Sequence, residues 1–184
     1  MRYSSNHKES TRKRLLDVGA ALAKEQGFGT TGVDGLMAAA GLTSGAFYSH
    51  FNSKSELLEA IVENDLNRSL QLFANKTDAQ FLSALGSYLS LAHVERPGQG
   101  CSATALSVEV GRSNAETKKV FEEHVLKLKD EFLKHASSPD HAWTVLAQAV
   151  GAIVVARAME STHSRQELLD AVYRDAKSKV AGVR

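Results

Sequence analysis

Proline occurs only twice in this 184-residue chain, at Pro97 and Pro139. Proline removes a backbone donor and breaks helix interiors, so long proline-free stretches leave continuous helices available. The apolar residues use that freedom at helical spacing. Leu15, Val18 and Leu22 fall on one helical face, and the polar segment before them, residues 1–8, reads as a frayed arm. The first helix is therefore expected over about Glu9–Gln26, with Gly27 as its stop. Val33, Leu36, Met37 and Ala40 give the stripe of a short second helix opening after Thr30 and Thr31 and ended by Gly41. Thr43 is placed to cap a third helix over about Ser44–Phe51. After Asn52 and Ser53, a fourth helix from Lys54 carries Leu57, Leu58, Ile61, Val62 and Leu66 on its buried side.

Two helices of about eight residues joined by a glycine-containing turn are helix-turn-helix geometry. Beyond them the pattern predicts five more helices: Asp78–His93, Ser102–Arg112, Ala115–Ala136, Pro139–Ser161 and Arg165–Val180. Phe121, Val125, Leu128 and Phe132 stripe the third of these, and Pro139 suits a first helical turn. The irregular stretch is Glu95–Gly100. No strand-like alternation stands out. The expected fold class is all-α, with a three-helix amino-terminal unit over residues 1–53 and a helical carboxy-terminal unit over 54–184, residues 54–74 forming the connecting helix.

Composition excludes several classes. Lys and Arg total 22 against 21 Asp and Glu, a net charge of +1, so this is neither a polybasic tail nor an acidic scavenger. The single cysteine, Cys101, excludes an intrachain disulfide framework and a multi-cysteine metal site, and it fits a reducing cytoplasm. Residues 1–30 lack the apolar core of a secretion signal, and Arg12, Lys13 and Arg14 stand where one would be. Ala142–Met159 is interrupted by Thr144, Gln148 and Arg157, so a buried helix is expected rather than a membrane span. No nucleophile triad, phosphate loop or H-E-x-x-H pattern appears. The seven histidines are scattered, with His135 and His141 alone close in sequence. No enzyme activity, metal or cofactor is expected.

Residues 28–58, FGTTGVDGLMAAAGLTSGAFYSHFNSKSELL, resemble the DNA-binding region of the tetracycline-repressor-like (TetR/AcrR) family of bacterial transcription regulators. The resemblance runs over roughly residues 10–60. It rests on Gly27-Phe28, Thr30-Thr31, Ala40-Gly41-Leu42, Gly45-Ala46-Phe47-Tyr48, His50-Phe51, Lys54 and Leu57-Leu58, in order. It implies a transcriptional repressor that binds a double-stranded DNA operator as a homodimer and answers a small-molecule or electrophile effector. The alternative is a helical small-molecule-binding or interaction protein without DNA.

Each candidate site residue has a physical job. Gly45 and Ala46 keep bulk away from the groove. Thr31, Tyr48, His50 and Lys54 can reach phosphate oxygens, which position a protein without selecting sequence. The free N–H groups opening the fourth helix offer a further anion site. Ser44, Ala46 and Ser49 fall nearest the base edges; all three are small, so DNA shape is expected to share in selectivity. Many relatives carry a basic residue where this chain has Ser44. Phe47 and Phe51, four apart, read as core. Arg12-Lys13-Arg14 reads either as a solvated face or as an approach to the DNA backbone. Residues 1–54 hold seven basic and four acidic residues, leaving 15 against 17 in the remainder. A single head of such weak charge should bind poorly, whereas two heads add their contacts on a pseudo-palindrome.

The carboxy-terminal half would supply dimer and pocket. Ala142–Ala158 is apolar on nearly every side, so it is either an interface helix, paired with the last helix through Leu168, Leu169, Val172 and Ala176, or a fully internal one. The candidate ligand-binding residues are Phe73, Tyr88, Cys101, Phe121, Val125 and Trp143; Phe81, Leu85 and Leu106 are further candidate walls. Cys101 also resembles the cysteine of a Gly-Cys pair found before the sixth helix in one branch of the family. At a helix N-terminus it would be favoured as a reactive thiolate, with His93 and Arg96 to assist. The other reading is a small buried hydrophobe.

Overall fold

A computed structural model describes the fold of residues 5–180 and side chains from Lys8 onward. Residues 1–4 of the expected arm lie outside the described residues, while the chain is helical from Ser5. The elements are α1 (Ser5–Gln26), α2 (Val33–Ala39), α3 (Ser44–Phe47), α4 (Lys54–Phe73), α5 (Asp78–Tyr88), α6 (Leu91–Glu95), α7 (Ser107–Gly111), α8 (Ala115–Leu133), α9 (Pro139–Ala158) and α10 (Thr162–Lys179). Two 3₁₀ turns, Pro97–Gln99 and Ser102–Thr104, connect α6 to α7. No strand occurs among the described residues; Ala136 and Val180 form one isolated bridge.

Local chemistry explains the ends. Gly27 (φ +85°) and Gly41 (φ +65°) take the left-handed conformation in which a side chain would be strained. After α2 the Gly41 N–H bonds the Ala38 carbonyl and the Leu42 N–H bonds the Met37 carbonyl. This paired closure turns the chain sharply into α3. Ser53 Oγ accepts from the Glu56 N–H at the start of α4, and Thr77 with Gln80 forms a reciprocal cap on α5.

Three expected helices are broken. Asp78–His93 divides at Leu89, where Ser90 Oγ caps a new helix by accepting from the His93 N–H. Ser102–Arg112 divides into a 3₁₀ turn and the short α7. α3 is four residues long rather than eight, because Ser49 and His50 already close i→i+3 bonds to Ala46 and Phe47. The expected cap also differs. Thr43 stands at the cap position of α3 but makes no side-chain cap bond. Thr31 does not cap α2; its hydroxyl donates to the Gly27 carbonyl at 3.3 Å.

The apolar stripes form one core. Around α1–α4, Leu15, Leu36, Met37, Phe47, Phe51, Leu57 and Ile61 are buried. Truncating a ring such as Phe47 to Ala costs about 3–5 kcal/mol. α4 packs chiefly on α8, and α9 lies between α8 and α10. Phe73, Phe81 and Phe132 meet edge-on or tilted with centroids 4.8–5.7 Å apart. α9 is long and apolar enough to cross a membrane by length and composition. One side of it, including Ala142, Val145, Ala149 and Ile153, is buried within the chain. Trp143, Val154 and Val155 are 42%, 45% and 52% exposed, so the fully internal reading of this helix is overturned.

Candidate nucleic-acid interface and effector cavity

The α2–α3 pair presents a narrow, polar ridge. Ser44, Gly45, Tyr48 and Ser49 are exposed, Tyr48 by 67%. No heavy atom comes within 4 Å of a Cβ built on Gly45, so this edge is open to solvent. Ala46, expected with Ser44 and Ser49 at the base edges, is instead half-buried and packed on the core. Its spacing one residue before the buried Phe47 turns it inward. Ser49 donates its hydroxyl to the Ala46 carbonyl at 2.7 Å and keeps its oxygen as an acceptor.

Behind the ridge the helices are tied by cations. Arg12 of α1 donates to the His50 carbonyl, and its guanidinium lies 4.2 Å from the Phe51 ring centroid. This non-local clamp replaces the solvated face read from Arg12-Lys13-Arg14, at least for Arg12. Arg14 packs against Gly41: its Nη2 would stand 2.9 Å from a Cβ there. His50 is half-buried, and its Nδ1 has no hydrogen-bond partner among the described residues. Burial first, then the charges of Lys8 and Arg12, hold the His50 imidazole below its ordinary range. Lys8, Arg12, Ser49 and His50 with Glu9 border a shallow cavity beside the ridge.

Lys54 lies 4.7 Å from the Phe28 ring centroid and donates to the Gly29 carbonyl at 3.4 Å. It fixes the start of α4 to the turn after α1. The anion site expected at the opening of α4 is partly filled from within. Ser53 Oγ takes the Glu56 N–H, and the Glu56 carboxylate accepts from Asn52 N and Nδ2 at 2.7 and 2.8 Å. Thr31 keeps only its acceptor capacity for an outside group while its proton serves Gly27.

In the second half, all six candidate ligand residues converge. Phe73, Tyr88, Cys101, Phe121, Val125 and Trp143 line one cavity of about 350 Å³. Phe81, Leu85 and Leu106 do not border it and belong to the core. α4, α5, α8 and α9 bring Phe73, Tyr88, Phe121, Val125 and Trp143 to a common centre, and the loop before Ser102–Thr104 brings Cys101. The expectation for Cys101 changes in its physics. Cys101 precedes a three-residue 3₁₀ turn, not a helix, so no helix dipole acts on the thiol. It is buried. His93 assists the backbone rather than the sulfur: its Nε2 accepts from the Cys101 N–H at 3.2 Å. Its Nδ1 lies 2.8 Å from the Tyr88 carbonyl and must be the protonated nitrogen, since a carbonyl only accepts. Burial lowers the His93 pKa, against the Tyr88 bond that raises it. Arg96 borders a neighbouring cavity of about 690 Å³, which shares Ser69, Tyr88 and Cys101 with the first.

The sequence reading missed the polar frame of this region. Lys24 of α1 is 8% exposed and pairs with Asp65 of α4 at 2.6 Å, and it also donates to the Gly100 carbonyl at 2.9 Å. Arg157 of α9 donates to Thr104 Oγ1 at 2.9 Å and to the His93 carbonyl at 3.1 Å. A buried lysine at an otherwise apolar position of α1 was the available signal. His135 and His141 do not meet: the first bonds Asp78 at 2.6 Å, the second Ser137 at 2.6 Å. Among the described residues no group of three or more His, Cys, Asp or Glu could hold a metal.

α1–α3 with the start of α4 thus build a helix-turn-helix unit with an exposed second helix, joined to a helical body that encloses an apolar cavity. Residues 15–61 match the bacterial regulatory proteins of the tetR family, and in this region the chain carries that family's amino-terminal pattern. The segment is 39% identical over 62 residues to the HTH-type transcriptional regulator AcrR of Shigella flexneri, covering 34% of this chain and 29% of that protein. The matched segments span between 25% and 54% of either partner across the curated relatives, all transcriptional regulators or repressors by name and none an enzyme. The chain's match thus covers less than two thirds of their length. The whole fold is shared more widely. The reduced form of Escherichia coli NemR superposes with a TM-score of 0.76 at 21% identity, over 94% of this chain and 97% of that one. A TetR transcriptional regulator from Chloroflexus aurantiacus gives 0.77 at 20% identity, over 95% and 98%.

Proposed function

We propose that this protein is a transcriptional repressor that binds a pseudo-palindromic DNA operator as a homodimer and releases it when an effector enters the apolar cavity. The observation that carries the reading is the exposed Ser44–Gly45–Tyr48–Ser49 ridge, held rigid from behind by Arg12 and Lys54. Residues 1–53 act as the DNA-facing unit and 54–184 as the effector and dimer unit. Tyr48, His50 and Lys54 contact phosphates, and Thr31 does so by turning its hydroxyl from the Gly27 carbonyl to the DNA; Ser44, Gly45 and Ser49 lie along the groove, with Ala46 supporting from beneath.

The exposed face of α9 with Trp143, Val154 and Val155 supports dimerisation, since exposed apolar side chains on one long helix mark an interaction face. Two heads then read two half-sites about 34–36 Å apart or somewhat more. Phe73, Tyr88, Cys101, Phe121, Val125 and Trp143 form the effector site. An effector shifts the equilibrium only by its differential affinity for the non-binding conformation. Cys101 is the candidate point of attack for an electrophile, because it is the one thiol and it borders two cavities.

The test is a gel-shift titration on DNA flanking the protein's own gene. A salt-sensitive, sequence-specific complex supports the reading. Absence of any specific complex favours a helical ligand-binding or interaction protein without DNA.

A further inference from the structure

We propose that the cavity takes an uncharged, largely apolar molecule bearing one hydrogen-bond acceptor, seated against Tyr88 and Cys101, and that Lys24 carries its arrival to α1. This rests on the regulator reading above and names the ligand class and the route of the signal.

The ligand class follows from the walls. Among the described residues no charged side chain lines the 350 Å³ cavity. Its hydrogen-bonding side chains are Ser69, Tyr88, Cys101, Ser107 and Trp143. Ser69 donates to the Asp65 carbonyl at 3.2 Å and Ser107 to the Ala103 carbonyl at 2.6 Å, so both protons are used locally. Tyr88, Cys101 and the Trp143 indole N–H remain, and because Tyr88 and Cys101 face each other within hydrogen-bond reach, the pair has one proton to offer a ligand. Burial, with the facing thiol, keeps the Tyr88 hydroxyl protonated and therefore a donor. On this apolar side the wall presents no cation: Arg157, whose charge reaches Tyr88, is engaged with Thr104 and the His93 carbonyl, and Lys24, Arg68 and Arg96 border the adjoining cavity, so the apolar cavity suits a carbonyl or ether oxygen and penalises a carboxylate.

The route follows from bonds to the same wall. Gly100, next to Cys101, accepts from Lys24 Nζ at 2.9 Å, and Lys24 is paired with Asp65 at 2.6 Å. The same loop lies flat on α1 at Gly98, where a Cβ would stand 2.3 Å from Glu25 Oε1. Displacing Cys101 therefore displaces the Gly100 carbonyl on which the carboxy-terminal end of α1 is anchored. α1 in turn holds the ridge through Arg12.

Three probes of one shape test the class: 4-butylacetophenone, 1-butyl-4-ethylbenzene and 4-butylbenzoate, followed by Trp143 fluorescence. The ketone binds about tenfold more tightly than the hydrocarbon, the worth of one hydrogen bond at its upper range, and more tightly still than the benzoate. Equal or tighter binding of the benzoate overturns the ligand class, and so does absence of saturable ketone binding. For the route, the ketone lowers DNA affinity of the wild type by about fivefold or more. Lys24→Met/Asp65→Leu removes both charges together; it binds the ketone as before but loses the effect on DNA. Retained release in that variant overturns the route and leaves the regulator reading standing. Amide exchange on the wild type serves as the second readout: the ketone raises exchange at residues 20–26, and unchanged exchange there also overturns the route. A wild type that binds ketone but no DNA counts against the regulator reading, not the ligand class.

Discussion

Replacing Arg12 by Met tests whether this side chain is a clamp inside the protein or a contact to DNA. In the structure its guanidinium donates to the His50 carbonyl and covers the Phe51 ring at 4.2 Å. A hydrogen bond from a charged donor contributes about 1.5 kcal/mol. A partly exposed cation over a ring adds about 0.5–1 kcal/mol. Methionine keeps the aliphatic stem over Phe51, so the loss is about 2 kcal/mol. At this chain size 1 kcal/mol corresponds to about 2–4 °C in Tm, so Arg12→Met is expected to melt about 4–8 °C lower. The imidazole of His50 should move up toward its ordinary range, because the Arg12 charge is one of the causes holding it down. Calorimetry and a His50 NMR titration check both. An unchanged Tm, together with a salt dependence of DNA binding shallower by about one unit of slope, would mean that Arg12 pairs with a phosphate and the clamp is wrong.

Tyr48→Ala and Lys54→Ala should each weaken binding to every DNA sequence alike, measured by fluorescence anisotropy on specific and random duplexes; a loss confined to one sequence would assign them to base readout. Cys101→Ser should keep DNA affinity and lose release by N-ethylmaleimide, and equal release in both proteins would end the electrophile reading. His50 and His93 both have lowered pKa values, so the fold favours their neutral forms. Their stability contribution is complete above the ordinary imidazole value of about 6.5 and is lost as pH falls below it, so Tm should drop between pH 7.5 and 5.5; a flat profile with both rings titrating near 6.5 would contradict the burial. Val155→Glu on the exposed face of α9 should yield monomers in sedimentation, and an unchanged dimer would move the interface elsewhere.

The parts legible in the sequence were those with a period. The stripes of α1, α2 and α4 placed Leu15, Leu36, Met37, Leu57, Leu58 and Ile61 in the core, and Gly27 and Gly41 marked the turns their positive φ requires. Five of the six cavity residues, Phe73, Tyr88, Phe121, Val125 and Trp143, stand on four helices whose stripes face one another, and Cys101 joins them from the loop. What stayed hidden was polar and non-local. Lys24 and Asp65 are 41 positions apart, and Arg12 meets the His50 carbonyl from 38 away. Such pairs leave no repeating signature along the chain. The breaks at Leu89 and at Thr104–Ser107 were missed for a different reason: Ser90 as a cap looks like any surface serine until the helix bends there. Cys101 borders the cavity, but the helix expected after it is a three-residue 3₁₀ turn, so the expected dipole is absent.

Selection of bound fragments from a random-sequence duplex pool tests the central claim most directly. The account predicts enrichment of an inverted repeat whose half-site centres lie one helical turn or somewhat more apart, lost when Tyr48 and Lys54 are both replaced by alanine. A pool that stays random after repeated rounds, with the protein folded and dimeric, would contradict it.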